Sequence, residues 1–481
     1  MTLSSQHAAR GVPAPRDELA LAIERAANAR PIEGNSIQHH SDSPAALAAM
    51  LALIAGAERW IHFENYIIRD DRTGRRFADA LIERARAGVH VRILYDGLGS
   101  FGTSHAYWNA LRRAGAEVRA FHPVVSLRVL ELFVRDHRKL VVVDGARAMM
   151  GGLCVGDEWA GDPSRGRQPW RDTMLTVCGP AAVALDGAFA DAWEQAGAPL
   201  PPEDAYGDPE ICGDFTVQVV AGVPFEGRIY RATQLIAAAA QERLWITDAY
   251  LVPPAPLYAA LIDAARHGVD VRLLVPGASD LVLLRNVTRV GYRELLRAGV
   301  RIFEWRGAMV HAKTLVADRR WARVGSSNLN VSSLFGNYEL DVLADNRQAA
   351  EVLAAQFRRD LLMSREVVLE PRRLRLPARL VRAPATAEAG SQADLPTVAP
   401  HQRSAYELSA VAVVALRRVA GGLRRTLAGS VALFFLLLGI LLVALPRVMG
   451  SLVAAVMFWL SLGFGVYAFG KRRAREREDV D

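Results

Sequence analysis

The chain has 481 residues and almost no lysine. Of its 58 basic residues, only Lys139, Lys313 and Lys471 are not arginine. In so arginine-biased a chain, lysine is expected where a compact charge serves and a planar fork does not. Cysteine is scarce as well. Cys154, Cys178 and Cys212 show neither paired nor metal-ligand spacing. No disulfide framework is expected from them, which favours a reducing compartment. The N-terminus has no apolar stretch ahead of a small-residue cleavage site, so no signal peptide is expected. His39 and His40 ("QHHSD") have no second cluster at ligand spacing, and they read as a loop without metal.

Hydrophobic residues make up 51% of the chain, enough for two or three domains with cores. The net charge of +7 suits nucleic acid or a phospholipid surface and does not choose between them. Residues 427–445 and 448–470 carry no charge. Each run approaches the roughly 20 residues that cross a bilayer. Arg417, Arg418, Arg424 and Arg425 precede the pair, Lys471, Arg472, Arg473, Arg475 and Arg477 follow it, and only Arg447 lies between. Basic flanks stay on the cytoplasmic side. The expectation is a C-terminal transmembrane helical hairpin in the inner membrane, with the large N-terminal part facing the cytoplasm.

The chain repeats itself. "LIERARAGVHVRILYDG" (81–97) matches "LIDAARHGVDVRLLVPG" (261–277) almost position for position. Upstream, "WIHFENYII" pairs with "WITDAYLV"; downstream, "LRRAGAEVRAF" pairs with "LLRAGVRIFEW". Each block reads strand, helix, Gly, strand, which implies α/β layers around a sheet. The expected plan is an extension (1–30), two similar halves (31–200 and 201–380), a linker with a basic segment (381–425), the hairpin (426–470) and a charged tail (471–481). Within 381–425, "APATAEAGSQADLPTVAPHQRS" reads as flexible linker. Residues 405–425 read equally as a surface amphipathic helix or as the start of the membrane region.

Two of the three lysines fall in one pattern, H-x-K-x-x-x-x-D. "HRKLVVVD" carries His137, Lys139 and Asp144, and "HAKTLVAD" carries His311, Lys313 and Asp318, at corresponding places in the repeat. In a strand, positions i and i+2 share a face, so His and Lys project together. Each Asp ends its strand at a turn ("DG", "DRR") and fixes the loop. Lysine neutralises a phosphoryl oxygen, while histidine attacks phosphorus or moves a proton. Two such pairs meeting between the halves would surround one phosphodiester, one His as nucleophile and the other as general acid, then base. The lysines supply the charge, so no metal or other cofactor is expected.

"HAKTLVAD" followed by "GSSN" (325–328) resembles the signature of the phospholipase D superfamily. The likeness covers both halves, about 35–370. "YDGLGS", "GDEW", "WRDT" and "VGSSNLN" resemble its bacterial cardiolipin synthase branch. The resemblance implies two α-β-α sandwich halves forming one active site, with a phosphatidyl group passing through a phosphohistidine to the hydroxyl of a second lipid. It also implies His137 as nucleophile, His311 as acid and base, and Ser326 and Asn328 on phosphate oxygens. Asp172 and Glu339 would be the acidic residues that orient the histidines beyond each motif. Cys154, in "GGLC", stands where the family has Asn, and a thiol is a poor donor. The loop 160–169 reads as a cover over the site or as plain solvated chain.

A membrane-bound phosphatidyltransferase using phosphatidylglycerol is the leading expectation. Phospholipase D hydrolysis, with water as acceptor, uses the same motif. A nuclease fits the net charge, but no nucleic-acid module is legible. A non-enzymatic scaffold has only Cys154 in its favour.

Overall fold

The computed structural model describes residues 18–123, 134–204 and 210–369. The first half contains α1 (Glu18–Ala27), β1 (Ile32–His40), α2 (Ser43–Ala55), β2 (Trp60–Asn65), α3 (Arg72–Arg86), β3 (His90–Asp96), α4 (His105–Arg113) and β4 (Glu117–Phe121). It continues through β5 (Lys139–Val143), β6 (Arg147–Gly151), α5 (Asp157–Ala160), β7 (Met174–Cys178) and α6 (Pro180–Gln195). The second half opens with β8 (Phe215–Gly222), α7 (Arg228–Ala239), β9 (Arg243–Thr247), α8 (Ala255–Arg266), β10 (Asp270–Pro276), α9 (Val282–Arg297) and β11 (Arg301–Trp305). Then come β12 (Thr314–Ala317), β13 (Trp321–Gly325), β14 (Glu339–Asp345), α10 (Arg347–Leu362) and β15 (Ser364–Val367).

The repeated blocks build the same unit twice. β2, β3 and β4 are parallel, as are β9, β10 and β11. Local signals set the helix ends. Asp71 caps α3 by accepting from Gly74 N–H, and Ser104 caps α4 by accepting from Tyr107 N–H. The shared "A-R-x-G-V" turns end α3 and α8 with Gly88 and Gly268 at φ +90°, a region that a side chain disfavours. Each H-x-K strand then pairs antiparallel with the first strand of its unit, β5 with β2 and β12 with β9.

The halves do not fold as separate bodies. The fifteen strands among the described residues form one sheet, in the order β15-β11-β10-β9-β12-β13-β14-β8-β1-β7-β6-β5-β2-β3-β4. β1 joins the halves by pairing with β7 on one side and β8 on the other. One apolar core holds Leu140, Val142, Met150 and Val177 together with Val316, Val324, Leu340 and Val342. It fixes each half's strands against the other's.

Three expectations change. Residues 18–27, read as extension, form α1, which packs on α7 of the second half and buries Ile23 there. "HH" of "QHHSD" ends β1 and is not loop; His40 Nε2 lies 2.8 Å from Thr176 Oγ1. Cys178 and Cys212 form a disulfide, with Cα atoms 5.8 Å apart. The cause is non-local. Ser36 pairs with Cys178, while Cys212 N–H donates to Gly34 carbonyl at 2.9 Å. The cysteine spacing therefore carries no argument for a reducing compartment. Among the described residues no helix is long and apolar enough to cross a membrane. The expected linker, amphipathic segment, hairpin and tail lie outside the described residues.

Candidate active site

The sheet register delivers both motifs to one end. Lys139 begins β5 opposite Asn65, the last residue of β2. Thr314 begins β12 opposite Thr247, the last residue of β9. His137 and His311, just upstream of these strands, and both lysines are buried.

Two short bridges between the halves then set the partners. Tyr338 N–H donates to Arg135 carbonyl and His137 N–H to Tyr338 carbonyl, each at 2.9 Å. This brings Glu339 to within 3.0 Å of His137 Nδ1. In the mirror arrangement, Arg171 N–H donates to Met309 carbonyl at 2.8 Å and His311 N–H to Arg171 carbonyl at 2.7 Å. Asp172 Oδ2 then lies 2.7 Å from His311 Nδ1. Each histidine is thus oriented by the acid of the opposite half, not by the one beyond its own motif. Neither half holds a complete site. The bridges are themselves braced. Asp96, of "YDGLGS", takes Arg135 Nη2 at 2.8 Å, and Arg171 Nη2 reaches Asp360 at 2.8 Å.

The glycines of "GGLC" have a steric reason. A Cβ on Gly152 would lie 2.2 Å from Asp172 Oδ1, so only glycine lets that carboxylate approach. Asp172 also accepts from Trp159 Nε1 at 3.0 Å and Thr173 N–H at 2.8 Å.

The electrostatics differ between the two histidines. Burial alone would raise Asp172, but His311 and Lys313 hold it at about 2. Glu339 is pushed up to about 7 by burial, although it accepts from Ser326 Oγ and Ser333 Oγ. Burial lowers His311 to about 4, with Lys313 adding to the shift, and lowers His137 well below its usual value. Both rings are therefore neutral near pH 7. Lys313 is pushed down to about 8 by burial. Its Nζ lies 2.9 Å from His311 Nδ1, which cannot both accept there and donate to Asp172. The shorter contact and the opposite charge assign the proton to the Asp172 side, leaving Lys313 as a neighbouring positive charge.

The structure does not bring every expected residue to the reacting region. Asp144 and Asp318 sit at the opposite strand ends, roughly 16 Å along from the lysines at about 3.3 Å per residue. Asp144 accepts from the N–H groups of Glu58, Arg59 and Trp60 at 3.0, 2.7 and 2.9 Å. Asp318 does the same for Gln241, Glu242 and Arg243 at 3.1, 2.8 and 3.1 Å. They are loop clamps and not catalytic groups. Ser326 is also engaged elsewhere: its hydroxyl donates to Glu339 and accepts from Leu340 N–H at 2.9 Å. Asn328 keeps a buried side-chain oxygen without a hydrogen-bond partner. Its counterpart Cys154 is buried, and burial raises its thiol.

Sequence reasoning missed an aromatic frame. Tyr66 packs edge-on against His137 at 4.7 Å, and Tyr250 against His311 at 5.9 Å. Their equivalence was readable in the repeated "WIHFENY" and "WITDAY". Trp159 and Trp170 stand 5.5 and 5.8 Å from His311. Asp248 was missed as well. Its buried carboxyl, pushed up to about 6, accepts from Leu329 N–H at 2.7 Å and Tyr250 N–H at 2.9 Å. The loop 160–169 supplies Arg165, Arg167 and Gln168 to an open cavity of about 620 Å³ that includes Trp170, so it flanks the site.

The family described as "Cardiolipin synthase, PLD-like domain" matches residues 50–156 and 233–361. A cardiolipin synthase of Alkalihalophilus pseudofirmus is 34% identical over 334 residues, covering 68% of this chain and 66% of that protein. One from Halalkalibacterium halodurans is 33% identical, covering 65% and 63%. The chain thus spans a little under two thirds of the length of these two relatives. Cardiolipin synthase A of Pseudomonas aeruginosa is 34% identical over 361 residues, covering 73% of this chain and 72% of that one. The crystal structure of phosphatidylserine synthase from Haemophilus influenzae shares the fold, with a TM-score of 0.58 at 14% identity over 73% of this chain and 92% of that one.

Proposed function

The chain belongs to the cardiolipin synthase family with phospholipase D-like domains, and from that premise we propose that it is a phosphatidyltransferase that makes cardiolipin from phosphatidylglycerol. The observation that carries the reading is the pair of buried histidines, each braced by the other half's carboxylate and each with the buried lysine of its own motif beside it.

His137 is the nucleophile. Ionised Glu339 accepts from its Nδ1–H, which leaves the Nε2 lone pair free to attack phosphorus. Asp172 stays ionised beside His311 and supports the protonated ring once an anionic phosphodiester enters. The P–O bond to the headgroup glycerol breaks as the N–P bond forms, and His311 gives its proton to the departing oxygen. A second phosphatidylglycerol then loses its hydroxyl proton to His311, its oxygen attacks phosphorus, and the N–P bond breaks. Lys139 and Lys313 offset the charge on the phosphoryl oxygens throughout. Asn328 donates through its amide NH2 to the same oxygens, a role carried by its place in the "GSSN" motif.

The two uncharged runs within 426–470 hold the protein in the inner membrane with its catalytic part on the cytoplasmic side. Their length and basic flanks support this.

The test is to reconstitute the full chain in liposomes with phosphatidylglycerol labelled in the headgroup glycerol and in an acyl chain. Cardiolipin with an equivalent of free glycerol is expected. Phosphatidic acid without cardiolipin would make it a hydrolase. DNA cleavage without lipid turnover would make it a nuclease.

A further inference from the structure

A group of large apolar side chains exposed on the described surface gathers at one end of the sheet, and it is the end that holds the histidines. Five separate segments supply them. Leu98 and Phe101 sit in the loop after β3, Phe225 after β8, Leu281 after β10, Val331 just past the "GSSN" turn, and Leu362 at the end of α10. Phe101, Phe225 and Leu362 are 71, 81 and 85% exposed. Topology places every one of these segments at the site. β3 runs parallel to β2, whose last residue faces Lys139. Gly222 of β8 pairs with Glu339. α10 ends beside Asp360, which holds Arg171.

Two of the loops rest directly on the aromatic frame. Ser100 Oγ donates to Tyr66 carbonyl at 3.1 Å, and Tyr66 packs on His137. Tyr250, which packs on His311, donates through its hydroxyl to Asp280 at 2.8 Å. So the exposed tips Phe101 and Leu281 stand one layer above the reacting histidines, one from each half. A solvated protein surface has little reason to gather such side chains around a polar site. Exposed Arg167 and Arg306 lie at the same end, where anionic headgroups would meet them.

We infer that this end is a bilayer-contact surface: Phe101, Leu281 and the neighbouring apolar tips enter the phospholipid acyl layer and seat the open site over the headgroups. The inference rests on the phospholipid reading of the site. It concerns how lipid is reached and is separate from the C-terminal hairpin.

The experiment uses the full chain in vesicles of phosphatidylglycerol and phosphatidylcholine. Phe101→Trp is compared with the parent in vesicles carrying lipids brominated along the acyl chains. The added fluorescence is expected to be quenched several-fold. The F101D/L281D variant is expected to raise the KM for vesicle lipid by tenfold or more. Its rate on a short-chain, monomeric phosphatidylglycerol should match the parent. Unquenched fluorescence with an unchanged vesicle KM overturns the inference. So does unquenched fluorescence with a lower particle mass for F101D/L281D, which assigns the surface to a second copy of the chain. Loss of turnover on every lipid in the parent, with quenching retained, defeats the functional reading and leaves the contact surface standing.

Discussion

Asp172→Asn isolates the cross-half bracing with the least steric change. Asp172 is buried, holds its charge down to about pH 2, and lies 2.7 Å from His311 Nδ1. When His311 carries the proton for the departing glycerol, that carboxylate faces a full positive charge. At this separation and an effective dielectric of 20, the attraction is about 6 kcal/mol as a ceiling. Asparagine keeps an oxygen to accept the Nδ1 proton, so about half to two thirds of that is lost. At about 1.4 kcal/mol per decade, turnover should fall about 10²- to 10³-fold. A wrongly selected tautomer would push the loss toward about 10⁴. The assay is initial cardiolipin formation in detergent-lipid micelles, with KM and kcat separated, and circular dichroism to show an unchanged fold. Gly152→Ala should cause part of the same loss, because its Cβ would sit 2.2 Å from Asp172 Oδ1. A folded D172N enzyme retaining more than a tenth of parental kcat would refute the bracing argument.

Other outcomes follow from the same geometry. Asp144→Ala and Asp318→Ala each orphan three backbone N–H groups. Each should cost about 1–3 kcal/mol in chemical denaturation and leave kcat within about twofold of the parent below the transition. Activity should be bell-shaped in pH. It falls on the acid side as Glu339 takes a proton near 7 and on the basic side as Lys313 loses one near 8; Glu339→Gln should flatten the acid limb. His311 titrates near 4 in the folded chain and near 6.5 unfolded. The unfolded state therefore binds the extra proton, and its share of stability, whole above about 6.5, is lost as pH falls toward 4. Denaturation midpoints at pH 7 and pH 5 check the sign. Thiol titration of the unfolded chain should find one reactive cysteine without reductant and three with it, because Cys178 and Cys212 are joined and Cys154 is free.

Local chemistry made much of this legible. The period-2 spacing put His and Lys on one strand face, and the repeat gave the second set. The "DG" turn already hinted that Asp144 belongs to a loop. What escaped was non-local. No spacing announces that Tyr338 lies along Arg135 and His137, or that Arg171 lies along Met309 and His311, yet those bridges decide which acid meets which histidine. The hydroxyl of Ser326 looked free for phosphate because its competitor Glu339 lies thirteen residues on and across a strand pair. The disulfide depends on a chain segment folding back onto Gly34. Tyr66 and Tyr250 were readable in principle, since they hold the same place in the repeat. They were passed over because an aromatic at a strand end usually signals only core.

The central claim is that His137 takes the phosphatidyl group and His311 manages the proton. A phosphatidyl ester of p-nitrophenol tests it most directly, because its leaving group needs no acid. His311→Ala should release one equivalent of nitrophenolate per enzyme in a burst and then stall. The phosphatidyl group should be recovered on the peptide containing His137. Steady turnover without a burst, or the label on any residue other than His137 in that variant, contradicts the account.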